Sequence, residues 1–260
     1  MKHWTDSYTK MANVILEVDA AIYDNVASSR DEVSDAQEVL SQVGRSIARR
    51  VFLPACGTGR HAAALANAGH EVWGVDLSRP FLEKAADSGK SLSPQPTYRR
   101  WDLRKPIPGW EPFMTALLLG NSFGYFGDAG NISFLRSLHA MIAPGGALMF
   151  DTTSVERARL MAHENPHTVH WVVTKSFGTV RDERWRTWDE KTHTMRSRKL
   201  HAKEGTGEVL LDVAYTIKIY PLGELANMLR YVGFHHVAHR TSSAQFYGLM
   251  KDRNCIAALR

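Results

Sequence analysis

The chain has 260 residues, 44% of them hydrophobic and 23% charged, with a formal net charge of +5. That is ordinary globular composition, with material for one large α/β domain or two small ones. No apolar run approaches the ~18 residues a membrane helix needs, the opening MKHWTDSYTK lacks the apolar stretch of a signal peptide, and the charge is too small by itself to imply nucleic acid.

The first fifty residues read as helical. MANVILEVDAAIYDNVA suggests one helix. DEVSDAQEVLSQVGRSIARR suggests another, with Val33, Ala36, Leu40, Val43 and Ile47 at helical spacing. Acids Asp31, Glu32 and Asp35 open that second stretch and Arg45, Arg49 and Arg50 close it, as a helix dipole favours. From Val51 the pattern alternates. RVFLPAC reads as a strand, GRHAAALANAG as a helix, HEVWGVDLS as a strand, and RPFLEKAADSG as a helix with Pro80 in its first turn. TYRRWDL and FMTALLLGNS read as strands, NISFLRSLHAMIA as a helix stopped by PGG, and ALMFDTT as the fifth strand. Such alternation predicts a doubly wound parallel sheet with right-handed crossovers.

After Thr153 the rhythm changes. HTVHWVVTKSF, RDERWRTWDE, THTMRSRKLH and EVLLDVAYTIKIY are β-rich runs with charged turns between Thr168 and Tyr220, and they predict an antiparallel layer. PLGELANMLRYVG predicts a helix between Pro221 and Gly233, and FHHVAHR and NCIAALR two closing strands. No repeat, low-complexity tract or linker interrupts the chain. The expected organisation is one domain: N-terminal helices over 1–50, an α/β core over 51–153, an antiparallel insertion over 168–220, and a final helix and strands over 221–260.

The chemistry concentrates at the ends of the parallel strands, where open sheets bind ligands. In ACGTGRH, Gly57 and Gly59 allow a tight turn and close backbone approach, and the following helix start favours an anionic group. Asp76 ends the second strand, where a carboxylate can accept from both hydroxyls of a ribose; the competing reading is a cap for the helix near Pro80. A glycine pair alone is a weak signal. A dinucleotide fingerprint would want a third glycine where Ala62 stands, which disfavours a nicotinamide-dependent oxidoreductase. A second acid, Asp102, ends the third strand in WDLRK. The fourth leaves through GNSFGYF, and APGGALMFD follows the next helix.

In the order and spacing of these motifs, Val51 to Asp151 resembles the class I S-adenosylmethionine-dependent methyltransferases, and it looks closest to the bacterial small-molecule branch, in which a strand-rich segment covers the acceptor. The resemblance implies a mostly parallel seven-stranded Rossmann-like sheet with an antiparallel insertion over the active site. It implies S-adenosylmethionine as cofactor, bound by Ala55, Cys56, Gly57, Thr58, Gly59 and Arg60, by Asp76 and Leu77, by Trp101, Asp102 and Leu103, and by Gly120 and Asn121. Asp76 would hold the ribose, Trp101 and Asp102 the adenine, and the Gly120 carbonyl the amino group. Leu53 departs from the pattern, because the family usually carries an acid there and a glycine at Ala55. The ammonium of the cofactor would then rely on backbone carbonyls and on Tyr23 and Asp24, and its carboxylate on Arg60 and the helix start.

Substrate candidates are Phe123, Tyr125, Trp171 and Trp185, with Trp188 a third indole in the insertion; strand alternation forbids all three indoles from facing inward. Candidates for proton transfer are Tyr23, Tyr125, His170 and Tyr247, with no clear acid–base dyad among them. His163, His167 and His170 in HENPHTVH invite a metal, but Pro166 and the missing acid or cysteine pattern argue for none. The expected activity is N- or O-methylation of a small molecule by alignment and desolvation. An RNA or tRNA methyltransferase is the alternative, disfavoured because Asp182, Glu183, Asp189 and Glu190 dilute the basic residues of RDERWRTWDE; a non-catalytic S-adenosylmethionine-binding protein is another. A cytoplasmic location is expected with Cys56 and Cys255 reduced, without membrane association. The oligomeric state stays open, a homodimer included.

Overall fold

The computed structural model describes Val18 and residues 29–242 and 253–260. The expected helix MANVILEVDAAIYDNVA, apart from Val18, and the candidates Tyr23, Asp24 and Tyr247 lie outside the described residues.

Among the described residues, seven strands form one sheet in the order β10-β11-β5-β4-β1-β2-β3. Its parallel part comprises β1 (Arg50–Pro54), β2 (Glu71–Asp76), β3 (Thr97–Arg100), β4 (Phe113–Leu118) and β5 (Ile142–Thr153). The last strand, β11 (Arg253–Leu259), runs antiparallel to β5, and β10 (His235–Ser242) runs antiparallel to β11. The central strands β1 and β4 are short and apolar because both faces are covered. Phe52, Ala116, Leu118, Leu148 and Phe150 look toward α4 (Gly127–Met141) and α6 (Leu222–Tyr231), which supply Phe134, Leu135, Leu138, Leu225 and Leu229. Val51, Leu53, Leu117 and Met149 look toward α1 (Ser29–Ser41) and α2 (Arg60–Asn67), which supply Ala36, Leu40, Ala62 and Leu65. Between β2 and β3 lies α3 (Arg79–Gly89), with Pro80 in its first turn as expected and Ser78 as its cap. No helix among the described residues is long and apolar enough to cross a membrane.

Three sequence expectations need correction. The helix expected to reach Arg50 stops at Ser41. Gly44 takes φ +68° and the Arg45 amide donates to the Leu40 carbonyl at 3.0 Å, the bond that closes a glycine-stopped helix. Val43 and Ile47 still pack on the same core from outside the helix, which is why the spacing misled. Second, PGG does not stop α4; the helix ends at Met141, and Pro144, Gly145 and Gly146 are already in β5, where the register with β4 is irregular. Third, a helix went unread: α5 (Val155–Glu164), capped by Ser154, whose hydroxyl accepts from the Arg157 amide at 3.1 Å. Val155, Ala158 and Ala162 form its buried stripe, a spacing that could have revealed it.

The second sheet has four antiparallel strands in sequence order: β6 (His167–Thr174), β7 (Gly178–Asp189), β8 (Thr194–Lys203) and β9 (Val209–Lys218). Its pairing register settles which residues share a face. Val172, Val180, Asp182, Arg184, Arg186, Trp188, Met195, Ser197, His201, Leu211, Tyr215 and Ile217 lie on one side, and Val169, Trp171, Val173, Arg181, Trp185 and Arg198 on the other. The first is the inner face: Met195 and Ile217 are buried with Val155 and Ala158 of α5, and Tyr125, Trp188 and Tyr215 pack against them.

Candidate active site

The loop after β1 is built from left-handed backbone. Ala55 has φ +51°, Gly57 +55° and Gly59 +83°. This explains why a glycine suits the Ala55 position: alanine there accepts a conformation that costs an L-residue about 1–2 kcal/mol. The two glycines differ. A Cβ on Gly57 would meet nothing within 4 Å, whereas one on Gly59 would lie 2.8 Å from Ala85 Cβ and 2.8 Å from the Tyr98 hydroxyl. Gly59 is therefore demanded by packing as well as by φ. Arg60 opens α2 directly after this turn, so the helix N-terminus faces the loop.

Asp76 closes the loop from below. Its Oδ2 accepts from the Gly57 amide and its Oδ1 from the Ser78 amide, both at 2.9 Å. The cap of α3 is Ser78, so the competing reading of Asp76 as helix cap fails. Burial pushes the Asp76 carboxyl up, and the amides of Ser78, Gly57 and Leu77 oppose that shift. A carboxylate oxygen can accept more than one hydrogen bond, which suits a pair of ribose hydroxyls. Burial and the Asp76 charge also push the Cys56 thiol well up, which keeps it an inert packing group. Thr58 and Leu77 are half-buried beside these residues, and the Leu77 carbonyl accepts from Arg100 Nε at 2.9 Å.

Trp101 and Asp102 follow β3. The Trp101 amide donates to the Asp76 carbonyl at 3.0 Å, which fixes the spacing of the two acidic positions. Its indole is half-buried against the core and donates to the Lys105 carbonyl. Asp102 is gripped by Arg104, whose Nη2 donates at 2.7 Å and whose amide donates at 3.0 Å. The Arg104 hydrogen bond, opposed by partial burial, holds the Asp102 carboxyl below its usual range. An adenine amino group at this position would share the carboxylate with Arg104. The Leu103 side chain is 9% exposed and belongs to the core.

The exit of β4 completes the cradle. Gly120 has φ +83° and Asn121 φ +59°. A Cβ on Gly120 would lie 3.8 Å from Arg60 Nη2 and 3.9 Å from His61 Cε1, so the first turn of α2 and the end of β4 face each other. Leu53 is 1% exposed within the core, so β1 brings no carboxylate to this place.

The substrate expectations fare unevenly. Phe123 is 1% exposed and its ring meets Phe134, Phe150 and Tyr220, so it is core and not pocket wall. Trp171 is 57% exposed on the outer face of the second sheet. Trp185 is on that outer face too, stacked on His167 at 5.0 Å beneath the Arg198 guanidinium. Neither indole faces the core of the protein. The residues that do are Trp188 and Tyr215, with Tyr125 at 6.3 Å from the Tyr215 ring. His170 is exposed on the edge strand β6, outside the cluster around Tyr125. Sequence reasoning also missed Tyr98 and Ala85 beneath Gly59, and Tyr215; none carries a local signal, because each acts through a distant partner. Among the described residues, no three His, Cys, Asp or Glu side chains gather as metal ligands do.

The cradle thus offers glycine backbone, a helix start and acids at the ends of two neighbouring strands. These features fit an adenosine carrying an amino-acid tail, and hence S-adenosylmethionine. Asp76→Ala is expected to weaken S-adenosylhomocysteine binding at least about tenfold, since hydrogen bonds to a charged acceptor are worth roughly 1.5–3 kcal/mol each; calorimetry measures it, and unchanged affinity would remove Asp76 from the site.

The chain is similar to known proteins in sequence and in fold. Residues 52–146 match a family model described as a methyltransferase domain. Rat (Rattus norvegicus) glycine N-methyltransferase is 31% identical over 115 residues, 39% of this chain and 39% of that protein; the match spans about two fifths of that relative. Among solved structures, the CcbJ methyltransferase from Streptomyces caelestis superposes with a TM-score of 0.71 at 18% identity, covering 93% of this chain and 95% of the other. CalS10 from Micromonospora echinaspora, an amino pentose methyltransferase solved with S-adenosylmethionine bound, gives 0.66 at 19% identity over 93% and 95% of the two chains. The protein has the fold of the class I S-adenosylmethionine-dependent methyltransferases, and its residues 52–146 match the methyltransferase-domain model.

Proposed function

We propose that the protein transfers the methyl group of S-adenosylmethionine to a nitrogen of a small polar molecule, held between the loop after β4 and the inner face of β6–β9. The observation that carries this reading is the fastening of the second sheet to that loop. The Lys218 amide at the end of β9 donates to the Gly124 carbonyl at 3.0 Å, and Tyr125 packs with Trp188, Tyr215 and Ile217. The loop begins at Gly120 and Asn121, so one short segment would serve cofactor and acceptor together. The four strands then form an insertion covering the acceptor within a single domain. Trp188 and Tyr215 replace Trp171 and Trp185 as its aromatic contacts.

Bound S-adenosylmethionine supplies an electrophilic methyl group on a sulfonium whose leaving group is a neutral thioether. The protein has to align the acceptor lone pair and exclude water, and alignment of this kind can supply ~7–11 kcal/mol. The glycine loop and Asp76 would hold the nucleoside, and the wall of Tyr125, Trp188 and Tyr215 would shut out solvent. Nitrogen is favoured because the residues that Tyr125 packs with are mainly apolar, Val155, Ala158, Met195, Ile217 and Ile219, and a hydroxyl acceptor would gain more than an amine from a base within hydrogen-bond reach. A neutral amine attacks first and loses its proton afterwards. Glycine N-methyltransferase and the amino pentose methyltransferase carry amine acceptors in their names, which supports the same choice. Two buried free thiols, Cys56 and Cys255, accord with work in the reducing cytoplasm.

The test is transfer of labelled methyl from S-adenosylmethionine to matched panels of small amines and alcohols. Label confined to amines is expected; label on alcohols alone, or none on any small molecule, contradicts the proposal. Tyr125→Phe should lower kcat by less than the ~10²–10⁴-fold typical of a lost general acid or base. A loss of ~10³-fold with normal cofactor binding would make Tyr125 a proton-transfer residue and end the alignment account.

A further inference from the structure

Leu53 stands in β1 where an acid could have met the amino group of the cofactor, and the neighbouring end of β4 is fixed by a buried ion pair from two other strands. Gly120 and Asn121 are consecutive left-handed residues. Asparagine is the non-glycine residue that enters this backbone most readily, and surrounding bonds fix it here. They come from the end of β5. The Asn121 amide donates to Asp151 Oδ1 at 3.1 Å, the Thr153 amide donates to Asn121 Oδ1 at 2.9 Å, and the Thr152 hydroxyl donates to the same oxygen at 3.4 Å. Asp151 is 4% exposed, and a carboxylate so buried needs a counter-charge. Arg253, at the start of β11 and 7% exposed, donates to its Oδ2. The antiparallel register, which sets Arg253 opposite Thr153 and Cys255 opposite Asp151, brings the two side chains together.

We propose that Asp151, neutralised by Arg253, is a positioning residue: through the Asn121 amide it holds the Gly120 carbonyl where it receives the ammonium group of the cofactor. The inference rests on the reading that residues 55–60, Asp76 and Gly120 hold S-adenosylmethionine. It assigns to a strand pairing at the far side of β4 the task that an acid on β1 would otherwise perform. The nucleoside end of the ligand, held at Asp76 across β1, should be indifferent to it.

Two probes separate these ends. S-adenosylhomocysteine carries the amino-acid tail; 5′-methylthioadenosine has the same nucleoside and thioether without it. Calorimetry on the full chain should show Asp151→Ala weakening S-adenosylhomocysteine about tenfold or more, with 5′-methylthioadenosine changed less than about twofold. Asp151→Asn, which keeps an acceptor oxygen for the Asn121 amide, should recover most of the loss. Asn121→Ala, at a half-buried position, removes the side-chain tie to Thr153 and should show the same selectivity for the tailed ligand, so the idea stays testable even where Asp151→Ala fails to fold. Equal weakening of both probes in the variants that fold, or no change in either, overturns the proposal. Wild-type protein that binds neither probe overturns the cofactor reading itself, a result distinct from the loss of selectivity.

Discussion

Gly59→Ala is expected to destabilise the protein by about 2–5 kcal/mol and to abolish cofactor binding. Two costs add. A left-handed alanine costs about 1–2 kcal/mol, and forcing a methyl into a filled site costs about 1–3 kcal/mol more. The site is already filled: Ala85 Cβ and the Tyr98 hydroxyl would each lie 2.8 Å from the new carbon, and the Ala85 Cα 3.2 Å. Relief would require α3 and β3 to retreat from the loop that they support, which would pull the Gly57 amide away from Asp76. Gly57→Ala is the control, because its Cβ would meet nothing in the protein and only the backbone cost remains. Thermal unfolding should separate the two, at roughly 2–4 °C per kcal/mol for a chain of this size. Equal midpoints would show that the Tyr98 and Ala85 contacts do not matter. Adding Tyr98→Phe to Gly59→Ala should recover part of the difference, since the hydroxyl oxygen is one of the two obstructing atoms.

The second large effect is expected at Gly124, and it should be of another kind. This residue has φ +103°, and a Cβ there would lie 2.3 Å from the Lys218 carbonyl oxygen and 3.0 Å from the Ile217 side chain. Backbone oxygen cannot rotate out of the way as a flexible side chain can. Gly124→Ala should therefore break the 3.0 Å hydrogen bond from the Lys218 amide and lift the end of β9 off the loop. Tyr125 would lose its place against Tyr215 and Trp188. A misplacement of about 1 Å can cost ~10²-fold in rate, so methyl transfer should fall by at least about tenfold. S-adenosylhomocysteine affinity should stay within about twofold, because Tyr220 continues to anchor the segment from the core side: its hydroxyl donates to Asp128 at 2.7 Å and accepts from Asn131 at 2.8 Å. Cofactor affinity and transfer rate falling together would mean that the second sheet also shapes the cofactor site. No change in either would detach the sheet from catalysis.

These expectations use different parts of what can be known from a sequence. The parallel core was legible residue by residue because its signals are local. Val51–Pro54, Glu71–Asp76 and Phe113–Leu118 are apolar runs of strand length, and the helices between them carry a stripe that only a 3.6-residue period explains. Gly57, Gly59 and Asp76 could be picked out for the same reason, since a glycine turn and an acid at a strand end announce themselves within a few residues. Where the local signal is ambiguous, the sequence and the structure part. Val43 and Ile47 kept helical spacing after Gly44 had already ended the helix, and α5 hid between two better-marked regions. The period of two in the β-rich runs predicted antiparallel strands but not which side of them faces the core. Strand alternation divides residues into two sets and is silent on which set is inside. Tertiary packing decided that by burying Met195 and Ile217 against Val155 and Ala158, which turned Trp188 and Tyr215 inward and left Trp171 and Trp185 outside. The same holds for the contacts that tie the candidate site together. Gly59 meets Tyr98, Gly124 meets Lys218, and Asp151 meets both Asn121 and Arg253 across separations of up to 102 residues. Such pairs leave no trace in composition or period, because the free energy that joins them comes from the register of the sheets and exists only once the chain has folded.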